Sequence, residues 1–401
     1  MIIKLVIFIP SRIYGGAERQ MALLAQQAAD DGYHVTLIDS PARIVLDMIK
    51  HRSDITARIY DGKHRLKLTD SVVVMQASYA FSLSSMLNLV RCDVRFWFMH
   101  PLNLPHMYLS SRFGNLLGGI FRFLLARSYR RSISSNRHAM YFQSDDTRQS
   151  VERFYRVSLE RNLTGLMSEM RAVQPGDPDE LCSDPIEICW LGRLDLGSKL
   201  LVIEKLLYDF SESDHFNRIA CFHIVGDGPA KRKLADYAES LGISDQVFFH
   251  GHVPYEILPK LLKRFLVVFA HGTSVYEAVL CHVPVSVVDF YSNFKQVSRI
   301  KYRLYSDDSD PTLGYLITGD NDPRIGVGRS FDSLISGLNS PIDVLKVSTK
   351  QLEKYEVSRK SGADRCRKLY SAPFSFDYRK QDKLLDVMFF SFRKLLLRLR
   401  K

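Results

Sequence analysis

Short apolar segments of strand length alternate with segments of helical periodicity, and this alternation runs through the chain twice. The apolar segments lie at 2–9, 35–38, 72–75, 94–99 and 139–142, and then at 186–191, 222–225, 247–249, 266–269 and 283–288. Strands that are apolar throughout and alternate with helices are typical of parallel sheets covered on both faces. The sequence therefore predicts an α/β protein with two Rossmann-like, doubly wound sheets.

The alternation weakens over residues 161–185, a stretch that contains three prolines. Proline clusters mark loops and linkers, and 401 residues are enough for two domains of ordinary size. We predict an N-terminal domain over 1–168, to which a helix over 375–401 returns, and a C-terminal domain over 169–374. Two such domains would place a ligand-binding cleft between the carboxyl ends of their sheets.

Two cations directly follow the first strand of the second half, in Gly192-Arg193-Leu194-Asp195-Leu196-Gly197-Ser198-Lys199. Arg193 and Lys199 would leave the carboxyl end of that strand, where two positive charges can hold a diphosphate and stabilise it as it departs. Either residue alone is also typical of a salt-bridged surface loop. Next along the chain, Gly226-Asp227-Gly228-Pro229 matches only part of a phosphate-binding glycine motif, and a purely structural turn is an equal alternative.

A second candidate anion site starts at His271, where another strand ends. Ser274 can cap the helix that follows, and the free N–H groups at the start of a helix attract an anion such as a phosphate. Glu277, one turn later, could accept two ribose hydroxyls, or it could be an ordinary glutamate near a helix N-terminus.

In this order the segments resemble the retaining GT-B glycosyltransferases of family 4, also called glycosyl transferases group 1. The resemblance rests on Gly15-Gly16-Ala17-Glu18, Gly192-Arg193-Leu194-Asp195 with Lys199, Gly226-Asp227-Gly228-Pro229, Phe249-His250-Gly251, and Glu277-Ala278 followed by Val283-Pro284-Val285. It implies the GT-B fold, in which two Rossmann-like domains face each other across a cleft. It also implies a hexosyltransferase-type enzyme that moves a sugar from a nucleoside-diphosphate donor with retention of configuration.

The resemblance also implies residue roles. His100, Arg193 and Lys199 would be catalytic, with His100 touching the donor sugar and phosphate. The donor would be bound by Gly15, Gly16, Arg193, Lys199, Gly251, His252, Val253, His271, Gly272, Thr273, Ser274 and Glu277. No cofactor and no metal are implied, since the leaving diphosphate itself helps to deprotonate the acceptor. Asp308-Ser309-Asp310 has the spacing of a metal-binding D-x-D motif, but no good strand precedes it.

One position departs from the family pattern. The family has two glutamates eight residues apart, and the residue eight positions before Glu277 is Phe269. The missing glutamate would have touched the transferred sugar, and His271 is expected near its place. This departure leaves the donor sugar open and permits a catalytically weak GT-B protein that binds a nucleotide or glycan as an assembly partner. An epimerase or phosphorylase of the same architecture is a third alternative, although no cofactor-lysine motif supports the phosphorylase.

The formal net charge of +11 is concentrated in two apolar segments. Residues 112–137 contain six arginines and no acid, and residues 384–401 contain three arginines, two lysines and one aspartate among apolar residues. A basic, apolar helix suits an anionic membrane surface, and Arg122, Arg127, Arg130 and Arg131 would face it; a core helix with a solvated basic face is the alternative.

No apolar stretch reaches the length of a spanning helix, and no nucleic-acid-binding module is present. We expect a cytoplasmic protein on the inner face of the membrane that takes a lipid-linked or glycan acceptor, as in lipopolysaccharide, O-antigen or capsule synthesis. The six scattered cysteines are expected to be free thiols in a reducing compartment.

Overall fold

The computed structural model describes residues 4–12, 15–99, 130, 133–134, 136–167, 173–174, 185–254, 256–291, 297–307, 313–317 and 322–371. The chain divides into two compact units, one of Met1–Ser168 with Arg359–Lys401 and the other of Glu169–Ser358. The sequence had placed the first boundary at the same residue and the return of the chain later, at 375. The division falls inside the last described helix, Pro341–Ser371.

Unit 1 contains eight described strands. They are β1 Lys4–Phe8, β2 His34–Asp39, β3 Thr56–Ile59, β4 Leu66–Thr69, β5 Ser71–Gln76, β6 Leu87–Val90, β7 Asp93–Phe98 and β8 Met140–Phe142. Six of them form a parallel sheet in the order β3-β2-β1-β5-β7-β8, and β4 pairs with β6. The described helices are α1 Gly16–Asp30, α2 Ile44–Met48, α3 Leu83–Met86 and α4 Asp145–Tyr155.

The elements of unit 1 form where the sequence supplies both an apolar face and a start signal. Every residue of β7 is buried, including Arg95, which is 1% exposed and forms an ion pair with Asp93 at 2.7 Å. The Arg95 guanidinium also donates to the backbone oxygen of Lys368, so its buried charge has both an ion-pair partner and a hydrogen-bond acceptor. Helix α4 begins where the Ser144 side chain accepts a hydrogen bond from the Thr147 N–H, as an N-cap serine does.

Unit 2 contains the remaining described strands. They are β9 Ile186–Leu191, β10 Ile219–Val225, β11 Val247–Gly251, β12 Val267–Ala270, β13 Val285–Val287, β14 Phe290–Tyr291, β15 Arg303–Leu304 and β16 Leu316–Ile317. Its main sheet has the order β11-β10-β9-β12-β13-β15, in which only β15 is antiparallel, and β14 pairs with β16. The helices are α5 Ser198–Ser211, α6 Lys231–Ser240, α7 Leu258–Leu262, α8 Thr273–Val279, α9 Phe331–Ser336 and α10 Pro341–Ser371.

Each unit is therefore built around a parallel sheet with helices between its strands, which confirms the predicted fold class. Strand order in unit 2 reverses between β9 and β12, because β10 and β11 lie on one side of β9 while β12 and β13 lie on the other. Ligands of such sheets bind beyond the carboxyl ends of the strands at this reversal.

Two other expectations concern the membrane and the thiols. None of the helices in the described part of the chain has the length and apolar character needed to cross a bilayer. The five described cysteines are free thiols, of which Cys92, Cys189, Cys281 and Cys366 are buried and Cys221 is partly exposed.

Candidate functional site

The carboxyl ends of five strands of unit 2 are level with one another. Register pairs join Gly251 to Val225, Val225 to Leu191, Leu191 to Ala270 and Ala270 to Val287. The residues that follow this row, among them Gly192, Gly226 and His271, therefore leave the sheet at one edge. The segments predicted from separate motifs are in this way brought to neighbouring positions around the reversal point between β9 and β12.

The loops after β9 and β10 are held together through their backbones. Gly192 N–H donates to the Val225 oxygen at 2.9 Å, and Leu194 N–H donates to the Asp227 oxygen at 3.0 Å. A Cβ atom at Gly226 would lie 2.0 Å from the Gly192 oxygen. At Gly228 it would lie 2.3 Å from the Leu194 oxygen. Glycine is required at both positions because the neighbouring backbone leaves no room for a side chain.

This contact fixes the backbone on both sides of Arg193. Leu194 is fully buried, whereas Arg193 is exposed and forms no ion pair with another described residue. The loop then turns through Asp195, whose carboxylate accepts a hydrogen bond from the Gly197 N–H at 3.3 Å. An anchored backbone with an outward-pointing guanidinium can present a positive charge to a ligand with little loss of backbone entropy on binding.

Lys199 lies in the first turn of α5 and is partly buried. The pKa of its ammonium is lowered to about 8, mainly by burial; the carboxylate of Asp195 opposes this shift and the positive charge of Arg193 adds to it. The first turn of α5 contains no acidic residue, and no described side chain caps its N-terminus. The start of α5 therefore combines a cation with free helical N–H groups, a combination that favours a bound anion.

The segment after β12 differs from the prediction in one detail. Helix α8 begins at Thr273 with Gly272 as N-cap, and no side chain of the described residues caps it. Ser274 is thus the second residue of the helix, and the prediction that it is the cap was wrong. Gly272 has φ of 65° and ψ of −139°, a backbone conformation that is open almost only to glycine.

His271 joins this segment to the neighbouring strand. Its Nδ1 donates to the Val288 oxygen at 2.9 Å, so a neutral ring carries its proton on Nδ1. Glu277 lies one turn into α8 and is partly exposed. The remaining predicted residues of this unit, Gly251, His252 and Val253, lie at and just after the end of β11, where His252 is exposed.

Several predicted residues cannot be placed together with these. Gly15 and Gly16 lie in unit 1, at the N-cap and first position of α1, in the connection that follows β1. His100, Arg122, Arg127, Arg131, the D-x-D segment 308–310 and residues 375–401 lie outside the described residues. Arg130 is described and is exposed.

Phe269 is not an exposed replacement for a sugar-binding glutamate. It is fully buried in β12, where its ring packs against Phe222, Tyr302 and Phe331. Only His271 and Gly272 separate the end of β12 from the start of α8. The spacing to Glu277 assigned Phe269 to the position of the missing glutamate. In the structure, however, Phe269 lies inside the sheet and cannot contact a ligand bound beyond the strand ends.

Sequence reasoning missed the segment Leu313–Tyr315. Gly272 N–H donates to the Leu313 oxygen at 2.9 Å, and a Cβ at Gly314 would lie 2.4 Å from His271 Nδ1. Tyr315 N–H donates to the Asp289 carboxylate at 2.9 Å, and that carboxylate also accepts from the buried Arg303 at 2.6 Å. This segment therefore buttresses the β12–α8 loop from a part of the sequence in which no motif had been found.

Comparison with known proteins agrees with this geometry. Residues 190–305 match the family model described as Glycosyl transferases group 1. The Anabaena protein HepE, solved with UDP and glucose, has a TM-score of 0.57 at 12% identity, and the match covers 92% of this chain and 100% of that one. The chain has the GT-B fold. WaaG, a glycosyltransferase involved in lipopolysaccharide biosynthesis, shares the GT-B architecture with a TM-score of 0.51 at 13% identity, over 92% of this chain and 100% of that one.

A curated relative matches over a shorter stretch. The 2-deoxystreptamine N-acetyl-D-glucosaminyltransferase of Streptomyces fradiae is 33% identical over 73 residues, which is 17% of this GT-B chain and 17% of that protein. The chain thus matches less than one fifth of the length of that relative. The resemblance inferred from the motifs is confirmed for the GT-B fold and for the family of residues 190–305.

Proposed function

We propose that this chain is a glycosyltransferase that moves a sugar from a nucleoside-diphosphate donor to a lipid-linked or polysaccharide acceptor, with retention of configuration and without a metal. The observation that carries the proposal is the position of Arg193 and Lys199 at the strand reversal of a sheet that matches a glycosyltransferase family. Two cations at such a point suit a pyrophosphate, which gains negative charge on its leaving oxygen as the glycosidic bond breaks.

The surrounding backbone supports the same ligand. Helices α5 and α8 both begin at this edge of the sheet, and neither has an acidic residue in its first turn. Free N–H groups at two helix starts add partial positive charge next to the two cations. Glu277, one turn into α8, is then the group we assign to the ribose hydroxyls.

The names of the relatives support the substrate class. One structural neighbour was solved with UDP and glucose, and the curated relative is an N-acetyl-D-glucosaminyltransferase. Another neighbour acts in lipopolysaccharide biosynthesis. Together with the basic, apolar segment 112–137, this favours a cell-surface glycan precursor as the acceptor and the inner face of the cytoplasmic membrane as the place of reaction.

A second candidate is a GT-B protein that binds its nucleotide or glycan but turns over weakly. The missing glutamate supports it, because Phe269 at the motif position is buried in β12 and neither His271 nor Gly272, the residues between β12 and α8, is a carboxylate. The two candidates share the diphosphate site and differ only in the rate of transfer.

A panel of nucleoside-diphosphate sugars tests the proposal and separates the two candidates. We expect one donor to raise the melting temperature, since a ligand bound only to the folded state stabilises it. The same donor should slowly release nucleoside diphosphate by hydrolysis, and faster when a lipid-linked saccharide extract is added. Binding without release in either condition would favour the second candidate, and no binding of any donor would contradict both.

The lowered pKa of Lys199 predicts a pH dependence. The ammonium binds diphosphate only when protonated, so kcat/KM, which reports the free enzyme, should fall above a pKa of about 8. The decrease should approach tenfold per pH unit. In Lys199→Arg the guanidinium stays protonated throughout this range, so the decrease should disappear even if the maximum rate is lower. A decrease that persists unchanged in Lys199→Arg would show that another group causes it.

A further inference from the structure

Three metal-ligating side chains meet on one face of the unit 2 sheet. Glu187 of β9 and Cys221 of β10 are register partners, and His223 follows two residues after Cys221 on the same face. Their carboxylate oxygen, thiol sulfur and ring nitrogen all lie within 4.8 Å of one another. Among the described residues, these three form the group that could hold a metal ion.

One ring nitrogen of His223 has a hydrogen-bond partner and the other has none. The residue is 5% exposed, and its ring stacks on Phe248 and His250 and packs against Phe265. Its Nδ1 lies 2.7 Å from His250 Nε2, whereas its Nε2 is buried and has no hydrogen-bond partner. A buried polar atom without a partner is rare and costs free energy. Glu187 Oε2 lies 3.7 Å from His223 Nε2.

We propose that Glu187, Cys221 and His223 bind a transition-metal ion of the zinc class, with His223 Nε2 as the nitrogen ligand and water in the fourth position. A thiolate, an imidazole and a carboxylate are ligands that Zn²⁺ takes in proteins. His223 Nδ1–H would donate to His250 Nε2, the outer hydrogen bond that fixes the tautomer of a metal-bound histidine. The metal displaces the Cys221 thiol proton to solvent, so binding one ion releases one proton.

The spacing of the three groups fits such an ion after a small adjustment. At Zn–N and Zn–O distances of about 2.0–2.1 Å and a Zn–S distance of about 2.3 Å, tetrahedral ligand atoms lie roughly 3.3–3.6 Å apart. The His223–Glu187 separation of 3.7 Å is already close to this range. Since no two of the three ligand atoms are more than 4.8 Å apart, they need to approach one another by roughly 1 Å at most to bind the ion. Glu187 and Cys221 are both partly exposed, which gives an ion a path of entry from solvent.

Arg264 opposes binding. Its Nη2 donates to both oxygens of Glu187, at 3.0 and 3.1 Å, and its charge repels a divalent ion. The side chain is 57% exposed and is therefore free to leave the carboxylate. Removing this guanidinium should increase metal affinity, an effect that no purely structural role of the cluster would produce.

The cluster is separate from the proposed donor site. Glu187 precedes Arg193 by six residues, about 20 Å along an extended strand. Glu187 and Cys221 lie four residues before the ends of β9 and β10, and His223 lies two residues before the end of β10, so the site bridges the two strands within the sheet. The metal would act as a clamp between these two strands, and it is not assigned to sugar transfer.

The test uses the whole 401-residue chain, freed of metal with a chelator and titrated with Co²⁺ as a spectroscopic substitute for Zn²⁺. We expect one Co²⁺ per chain, with a thiolate-to-metal charge-transfer band in the near ultraviolet and the visible bands of a four-coordinate ion. Zn²⁺ should displace the Co²⁺ and remove these bands.

Variants assign the ligands and keep the proposal falsifiable. Cys221→Ser should abolish the charge-transfer band and His223→Gln should weaken binding at least about a hundredfold, whereas Arg264→Gln should strengthen binding about tenfold. His215→Gln, a histidine elsewhere in the same unit, is the matched control and should bind as the parent does. Absence of Co²⁺ binding, or an unchanged band in Cys221→Ser, would overturn the proposal. The Arg193→Ala, Lys199→Ala double variant should bind Co²⁺ normally, so failure of the donor assignment would not affect this result.

Discussion

Replacing both Arg193 and Lys199 with alanine is expected to lower kcat/KM for the nucleotide sugar by at least about 10³-fold. Each side chain places a positive charge where a leaving diphosphate would develop negative charge, and loss of a single such stabilising group typically costs about 10²–10³-fold. The fold should survive, because Arg193 is exposed and its backbone is held by Leu194 and the β10 turn. Release of nucleoside diphosphate under donor-limited conditions measures the effect.

The matched control removes two positive charges from the exposed face of α10. Lys346 and Lys350 lie in unit 2 and are exposed, so Lys346→Ala with Lys350→Ala changes the net charge by the same amount. Its kcat/KM should stay within about twofold of the parent, since screened surface charges act weakly at a distance. Comparable activity of the two double variants would refute the assignment of Arg193 and Lys199.

Gly226→Ala is expected to destabilise unit 2 by about 3 kcal/mol or more. The new Cβ would lie 2.0 Å from the Gly192 oxygen, and the backbone at this residue has φ of 140°. Relief of the clash must separate the loops after β9 and β10, so donor affinity should fall together with stability. Urea unfolding of the full chain, followed through Trp190 in β9, measures the change.

Gly242→Ala separates the clash from the backbone strain. Gly242 also has positive φ, at 72°, but a Cβ there would meet no atom within 4 Å. Its substitution should cost only about 1 kcal/mol, the price of a left-handed conformation for alanine, and should leave donor affinity unchanged. Equal destabilisation by the two substitutions would show that the loop contact is unimportant.

The sequence was sufficient for those parts of the fold that local patterns determine. The ten apolar runs each correspond to a strand, because a strand covered on both faces consists almost entirely of apolar residues. The glycines at 226 and 228 belong to a motif that the sequence showed, and the structure supplies the reason for them: the neighbouring backbone lies too close for any side chain.

What the sequence could not supply depends on contacts between distant segments. Ser274 had the chemistry of a cap, yet the N-cap is Gly272, whose φ is positive, and the helix starts two residues earlier than predicted. Leu313–Tyr315 has no motif, and its role comes from contacts with His271, Gly272 and Asp289 that only the folded chain creates. The same holds for His223, whose neighbours Glu187 and His250 are far from it along the chain.

The close backbone contacts at Gly226 and Gly228 show which strand ends of unit 2 tolerate substitution and which do not, and this matters for any attempt to change the substrate. The turn after β10 accepts no added atoms at Gly226 and Gly228, so substitution there would cause misfolding before it could alter selectivity. The stretch after β11 is different, since His252 is exposed and Val253 is partly exposed. A library that diversifies His252, Val253 and Thr273 while keeping the glycines intact should therefore sample new nucleotide and sugar preferences at little cost in foldability.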